Sequence, residues 1–174
     1  MRCACSPLLS RKRPSRKSAT TPTLWARYRR MVGAGVGVVV ILWLVALSAY
    51  DVRERRLPNF LTLPGAAVVL IVAVSAGRGT PAVLGATALL AIYLAVYLLA
   101  SSAMGAGDVK LAVGLGGLTG SFGVDVWALA AIAAPLLTAL VAIVVVTRDV
   151  PSATLPHGPS MCVAAAGACA LAIL

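Results

Sequence analysis

Only five acidic residues occur in this chain of 174: Asp51, Glu54, Asp108, Asp125 and Asp149. Asp51 directly follows a long apolar run and Asp108 directly precedes another. An ionisable residue at the edge of a membrane segment is expensive to keep, which makes it a functional candidate. Two carboxylates at one membrane face can share a proton, because like charges held close together cannot both ionise cheaply. One then serves as base toward a water and the other as acid toward a leaving amine, and that division suffices for peptide hydrolysis. The blander reading stays open at this point: Asp51 pairs with Arg53, Arg55 or Arg56, and Asp108 with Lys110. Asp149 stands beside Arg148 and reads as a loop ion pair, while Asp125 reads as a cap for the helix that follows it.

The residues before Asp108 add to its case. Gly105 and Gly107 remove side chains where a substrate backbone would approach, and they let the chain turn into a helix. Asp108 then sits near a helix start, where the positive end of the dipole stabilises a carboxylate. Close helix packing explains the same glycines. Lys110, two residues further along, points away from Asp108 and suits a headgroup or loop contact. His157 is the only histidine; it can titrate near neutral pH, and its place in a loop reads as exposed. Cys3, Cys5, Cys162 and Cys169 form no C-x-x-C pair, so neither a zinc knuckle nor a redox motif is supported. Cys162 and Cys169 read as small core residues. No cofactor and no metal are expected.

These residues must be positioned by membrane helices. The chain is 60% hydrophobic and 11% charged, with a mean hydropathy of +0.97. That balance excludes an ordinary soluble domain and predicts an all-α polytopic bundle of about six transmembrane segments. The expected segments are 31–50, about 60–76, about 82–103, a short one from 108 to about 118, about 125–147, and about 160 to the end. The first is longer than the apolar core of a cleaved signal peptide, and further apolar segments follow it. The fourth and sixth are short for full spans. Residues 1–30 hold nine of the fifteen basic residues and no acid. They predict a disordered basic extension that touches anionic lipid rather than nucleic acid, ahead of a membrane-embedded domain over 31–174.

Two spans separate Asp51 from Asp108, so helix counting puts both at one face. Arg53, Arg55, Arg56, Lys110 and Arg148 share that face, against Arg78 on the other. The positive-inside rule therefore turns the aspartates toward the cytoplasm. The basic extension favours the opposite orientation. A chain that starts at Met31, or a first segment that does not cross fully, would remove the conflict, and the core's preference is the one adopted.

Three stretches together resemble the prepilin peptidases, which are Gly-x-Gly-Asp membrane aspartyl proteases. Asp51-Val-Arg-Glu-Arg-Arg-Leu-Pro58-Asn59 is similar to a signature in which an Asp is followed by an apolar-Pro-Asn triplet. Gly105-Ala-Gly-Asp-Val-Lys-Leu111 is similar to that family's second motif. Leu155-Pro-His-Gly-Pro159 resembles a third, with His157 where an aromatic residue is usual. The resemblance covers residues from about 50 to 160. It implies catalysis by Asp51 and Asp108, supported by Pro58, Asn59, Gly105, Gly107, Lys110, Pro156, Gly158 and Pro159. Pro58 and Asn59 would form a turn in which Asn59 satisfies loop backbone groups.

The implied substrates are type IV prepilins, Flp-type pilins or pseudopilins, each with an N-terminal transmembrane helix, cut at the cytoplasmic edge of the inner membrane. The implied partners are the bilayer and a pilus or secretion assembly machinery. The larger bifunctional members carry two C-x-x-C pairs and a methyltransferase activity, so this chain is expected to cleave without methylating. Tyr50-Asp51 also echoes the presenilin type of protease, but the Pro-Ala-Leu that ends those proteins is lacking. A small transporter and a non-catalytic pilus-assembly protein remain the alternatives.

Overall fold

The computed structural model describes residues 24–54, 58–100, 104–148 and 157–173. They form six helices: α1 (Leu24–Glu54), α2 (Asn59–Ser75), α3 (Gly79–Leu99), α4 (Ala106–Phe122), α5 (Val124–Thr147) and α6 (Gly158–Ile173). No strand occurs among the described residues. A helix satisfies every interior backbone amide within its own segment, which is why apolar runs in lipid take this form. The chain divides into two units, Met1–Val36 and Gly37–Leu174. Helix α1 begins at Leu24, so it takes in Arg27, Arg29 and Arg30, which the sequence left in the extension.

Three stretches are long and apolar enough to cross a membrane: Gly35–Glu54, Gly79–Leu99 and Val124–Thr147. Helices α2 and α6 are apolar but shorter, at 17 and 16 residues. The outer faces carry exposed large apolar side chains, among them Leu42, Ile71, Leu84, Leu136 and Val144. A helical bundle that meets lipid rather than water leaves such faces apolar. The architecture is the expected helical membrane bundle.

The short fourth segment turns out to be the centre of the second unit. Almost every residue of α4 from Asp108 to Gly120 is buried. Its most extensive neighbour is α3, and α2, α5 and α6 also pack on it. At 17 residues it is no longer than α2, and what sets it apart is how fully its neighbours enclose it. Small residues make this possible. A Cβ on Gly116 would press on the Gly85 carbonyl and on Ala86, and one on Gly120 would lie 2.7 Å from the Pro81 carbonyl oxygen. Backbones this close gain dispersion contacts that larger side chains would forbid.

Two tryptophans fasten the helices by spending their single donors. Trp127 Nε1 donates to the Gly85 carbonyl at 3.0 Å, tying α5 to α3. Trp43 Nε1 donates to the Leu61 carbonyl at 3.0 Å, tying α1 to α2. At the end remote from Asp51, Gly77 takes a left-handed φ of 73°. That lets Gly77 and Arg78 return their N–H groups to Val74 and Ala73, which ends α2 in a tight turn. Asp125 does not cap α5, contrary to expectation. Gly123 occupies the cap position, and Asp125 stands in the first turn, one residue inside the helix.

Candidate active site

Asp51 lies in the last turn of α1 and Asp108 in the first turn of α4. Both are buried, at 7% and 8% exposure. They are within coulombic reach of each other at one end of the bundle, as helix counting requires. Different elements hold them there. The Asp108 N–H donates to the Gly105 carbonyl at 3.1 Å, closing the first turn of α4 with Gly105 as its extended cap residue. Asp51 is held from across the bundle: the Gly158 N–H donates to its Oδ2 at 3.1 Å.

Gly158 begins α6, two residues earlier than the sequence suggested. His157 caps this helix through its carbonyl, which accepts the Met161 N–H at 3.2 Å. Pro159 follows in the first turn, where a missing N–H costs nothing. The first amide of α6 therefore meets Asp51 at the positive end of the helix dipole. A side chain at Gly158 would collide with the carboxylate, since its Cβ would sit 2.6 Å from Oδ2. Gly158 is a glycine for reasons of space.

Pro58 and Asn59 stand where the chain enters α2. Pro58 caps α2 in extended geometry, and its carbonyl accepts the N–H groups of Leu61 and Thr62. Asn59 begins α2 and uses its side chain on another element: Lys110 Nζ donates to Asn59 Oδ1 at 2.9 Å. Lys110, expected at a headgroup or loop, reaches the first residue of α2, and it links the first and second motifs. Gly107 lies in the first turn of α4. Pro156 lies outside the described residues, as do Leu155, Asp149, Arg55 and Arg56.

His157 is not an exposed loop residue. Its Nδ1 lies 2.6 Å from Thr138 Oγ1 on α5, and its Nε2 lies 3.2 Å from the Tyr93 hydroxyl on α3. The Tyr93 and His157 rings are also in contact, with centroids 5.9 Å apart. Burial pushes the imidazole below its ordinary pKa of 6.5. Sequence reading missed Tyr93 and Thr138 altogether, because each is an ordinary residue within an apolar run and nothing local distinguishes it. Cys162, a buried residue as expected, stands within electrostatic range of both aspartates. Beside it a groove of about 610 Å³ runs between α1 and α6, lined by Ile41, Leu44, Val45, Ser48 and Val163. Among the described residues, no three His, Cys, Asp or Glu side chains gather as metal ligands would.

A family model described as the type IV leader peptidase family matches residues 38–147. The match takes in Asp51, Pro58, Asn59, Gly105, Gly107, Asp108 and Lys110, and it ends before His157 and Gly158. No curated protein and no solved structure matches the chain.

Proposed function

Because the chain belongs to the type IV leader peptidase family, we propose that it is an aspartic endopeptidase whose catalytic pair is Asp51 and Asp108. The observation that carries this reading is the meeting of the two buried carboxylates, from separate helices, at one end of the bundle. On this reading the two carboxylates hold one proton between them at the moment of reaction, and their titration belongs to the pair rather than to either residue. The ionised member takes a proton from water, whose oxygen adds to the scissile carbonyl. The protonated member gives its proton to the departing amine as the C–N bond breaks. The water proton replaces the one donated, so the dyad returns to its starting charge.

The substrates on this reading are prepilins, Flp-type pilins or pseudopilins. Their common feature is a short polar leader ahead of a long apolar helix, and the site suits it: carboxylates at a helix edge beside an apolar groove along α1 and α6. The protein acts at the cytoplasmic face of the inner membrane, a side supported by the basic residues Arg53, Arg55, Arg56, Lys110 and Arg148. Its expected partners are the pilus or secretion machinery that receives the mature product, and it cleaves without methylating.

The test is co-expression with a candidate prepilin, following loss of the leader with wild type, Asp51→Ala and Asp108→Ala. Cleavage by the wild type alone is expected. Cleavage that persists in either variant would remove the dyad, and a wild type that cleaves no pilin encoded nearby would favour a transporter or assembly subunit.

A further inference from the structure

The third motif lies beyond the stretch that the family model matches, and its histidine is joined to three helices at once. We propose that His157 is a positioning residue for Asp51: held as its Nδ1–H tautomer between Thr138 and Tyr93, it fixes the Gly158 N–H against the Asp51 carboxylate. The proposal rests on the reading of Asp51 as one of the catalytic pair.

The tautomer follows from counting protons. Thr138 has one hydroxyl proton, and the hydroxyl donates to the Ala134 carbonyl at 3.1 Å, one turn back on α5. With that proton on the carbonyl, the Thr138 oxygen accepts from His157, and on this assignment Nδ1 carries the hydrogen of the 2.6 Å contact. A neutral imidazole has one N–H, which leaves Nε2 bare to accept the Tyr93 hydroxyl at 3.2 Å. Both ring nitrogens are satisfied, and each bond ends on a different helix. The ring cannot rotate or withdraw without breaking one of them.

The backbone transmits this constraint. His157 and Gly158 are consecutive, so one rigid peptide unit separates the anchored residue from the N–H that meets Asp51. The start of α6 is thereby set against α3 and α5 on one side and α1 on the other. The titratable and charged groups around the ring come from four helices. Tyr93 faces it from α3, and Asp108 on α4 stands within electrostatic range of Tyr93. Asp51 on α1 is reached through Gly158, and Cys162 lies one turn along α6. Helix α5 presents Thr138, which does not titrate. A second proton on the ring would make both nitrogens donors and force the Tyr93 hydroxyl to turn from donor to acceptor.

Two measurements test the proposal. The first needs no substrate: because His157 is the only histidine, protein labelled with ¹⁵N-histidine and purified on a histidine-free tag gives a single imidazole spectrum. It is expected to show the Nδ1–H tautomer at neutral pH, to move in Asp51→Ala, and to lose that tautomer in Thr138→Val. The second is leader cleavage as a function of pH. His157→Phe is expected to lower kcat about tenfold with KM unchanged, since small misplacements of a reacting group cost this much or more. His157→Gln, whose side chain also offers one donor and one acceptor, is expected to restore part of the rate. An Nε2–H tautomer would overturn the proposal. So would a His157→Phe variant with wild-type kcat and pH profile and only a lower melting temperature. Failure of the dyad itself reads differently, as cleavage that survives in Asp51→Ala or Asp108→Ala.

Discussion

Gly158 donates its backbone N–H to Asp51 Oδ2 at 3.1 Å, joining residues 107 positions apart at the entrance of α6. The bond relates the third motif to the first. It gives a buried carboxylate a partner that has no charge of its own, and it needs a residue without a side chain at position 158.

Gly158→Ala is the smallest change that tests this contact. The added Cβ would lie 2.6 Å from Oδ2, too close for the carboxylate to keep its place. Leader cleavage should fall by about tenfold to a hundredfold, the usual effect of displacing a reacting group by a fraction of an ångström to one ångström. The melting temperature in detergent should fall only a few degrees. Wild-type kinetics in this variant would show that the contact does not matter to the reaction.

Asp51→Asn and Asp108→Asn keep shape while removing the acid and base that the proposed reaction needs. Each should lower kcat by about 10²- to 10⁴-fold, the range carried by positioned acid–base groups. The double variant should be little worse than either single one, because groups that act as a unit are not additive. Additive losses would mean two independent roles.

Gly116→Val tests the α3–α4 contact at its closest point. The new side chain would meet the Gly85 carbonyl and Ala86, which are backbone atoms and cannot step aside. A loss of about 1–3 kcal/mol in stability is expected, as for other overpacked sites, with lower yield from the membrane. The same substitution at Gly167, where nothing lies within 4 Å, should leave stability unchanged and serves as the control.

Lys110 and Asn59 meet at 2.9 Å on an exposed edge. A double-mutant cycle with alanine at both positions should return a coupling of about 0.5–1.5 kcal/mol, as for an ordinary hydrogen bond. Leader cleavage should fall less than in the aspartate variants. A loss as large as theirs would move Lys110 into the chemistry.

His157 gives stability a pH dependence whose sign can be worked out. Burial lowers its pKa below 6.5, so the folded protein binds this proton more weakly than the unfolded chain. Its contribution is complete above the ordinary pKa and is lost as pH falls through the folded one. From about pH 7 to about pH 5, the melting temperature of the wild type should fall more steeply than that of His157→Gln. Parallel slopes would show that the ring does not titrate with folding.

Much of the fold could be read along the chain because membrane helices are local objects. Twenty apolar residues suffice to require a helix, and the polar breaks at Asp51–Asn59 and around Gly77 mark where helices end. The number of segments, the common face of Asp51 and Asp108, and the direction of Lys110 all followed from periodicity and parity. The position of α4 did not. Its length suggested a partial span, whereas its burial depends on which neighbours enclose it, and that is decided by the fit of Gly116 and Gly120 against α3.

The sequence by itself determined a helical membrane bundle with two aspartates brought to one face. Those properties arise from hydropathy, from counting spans, and from the scarcity of acids. Only the tertiary structure decided that Gly158 meets Asp51, that Lys110 meets Asn59, and that His157 is enclosed by Tyr93 and Thr138 rather than exposed. Each of these joins residues on different helices, at least 19 positions apart. A hydrogen bond depends on where two helices cross, and neither local propensity nor local spacing encodes that crossing.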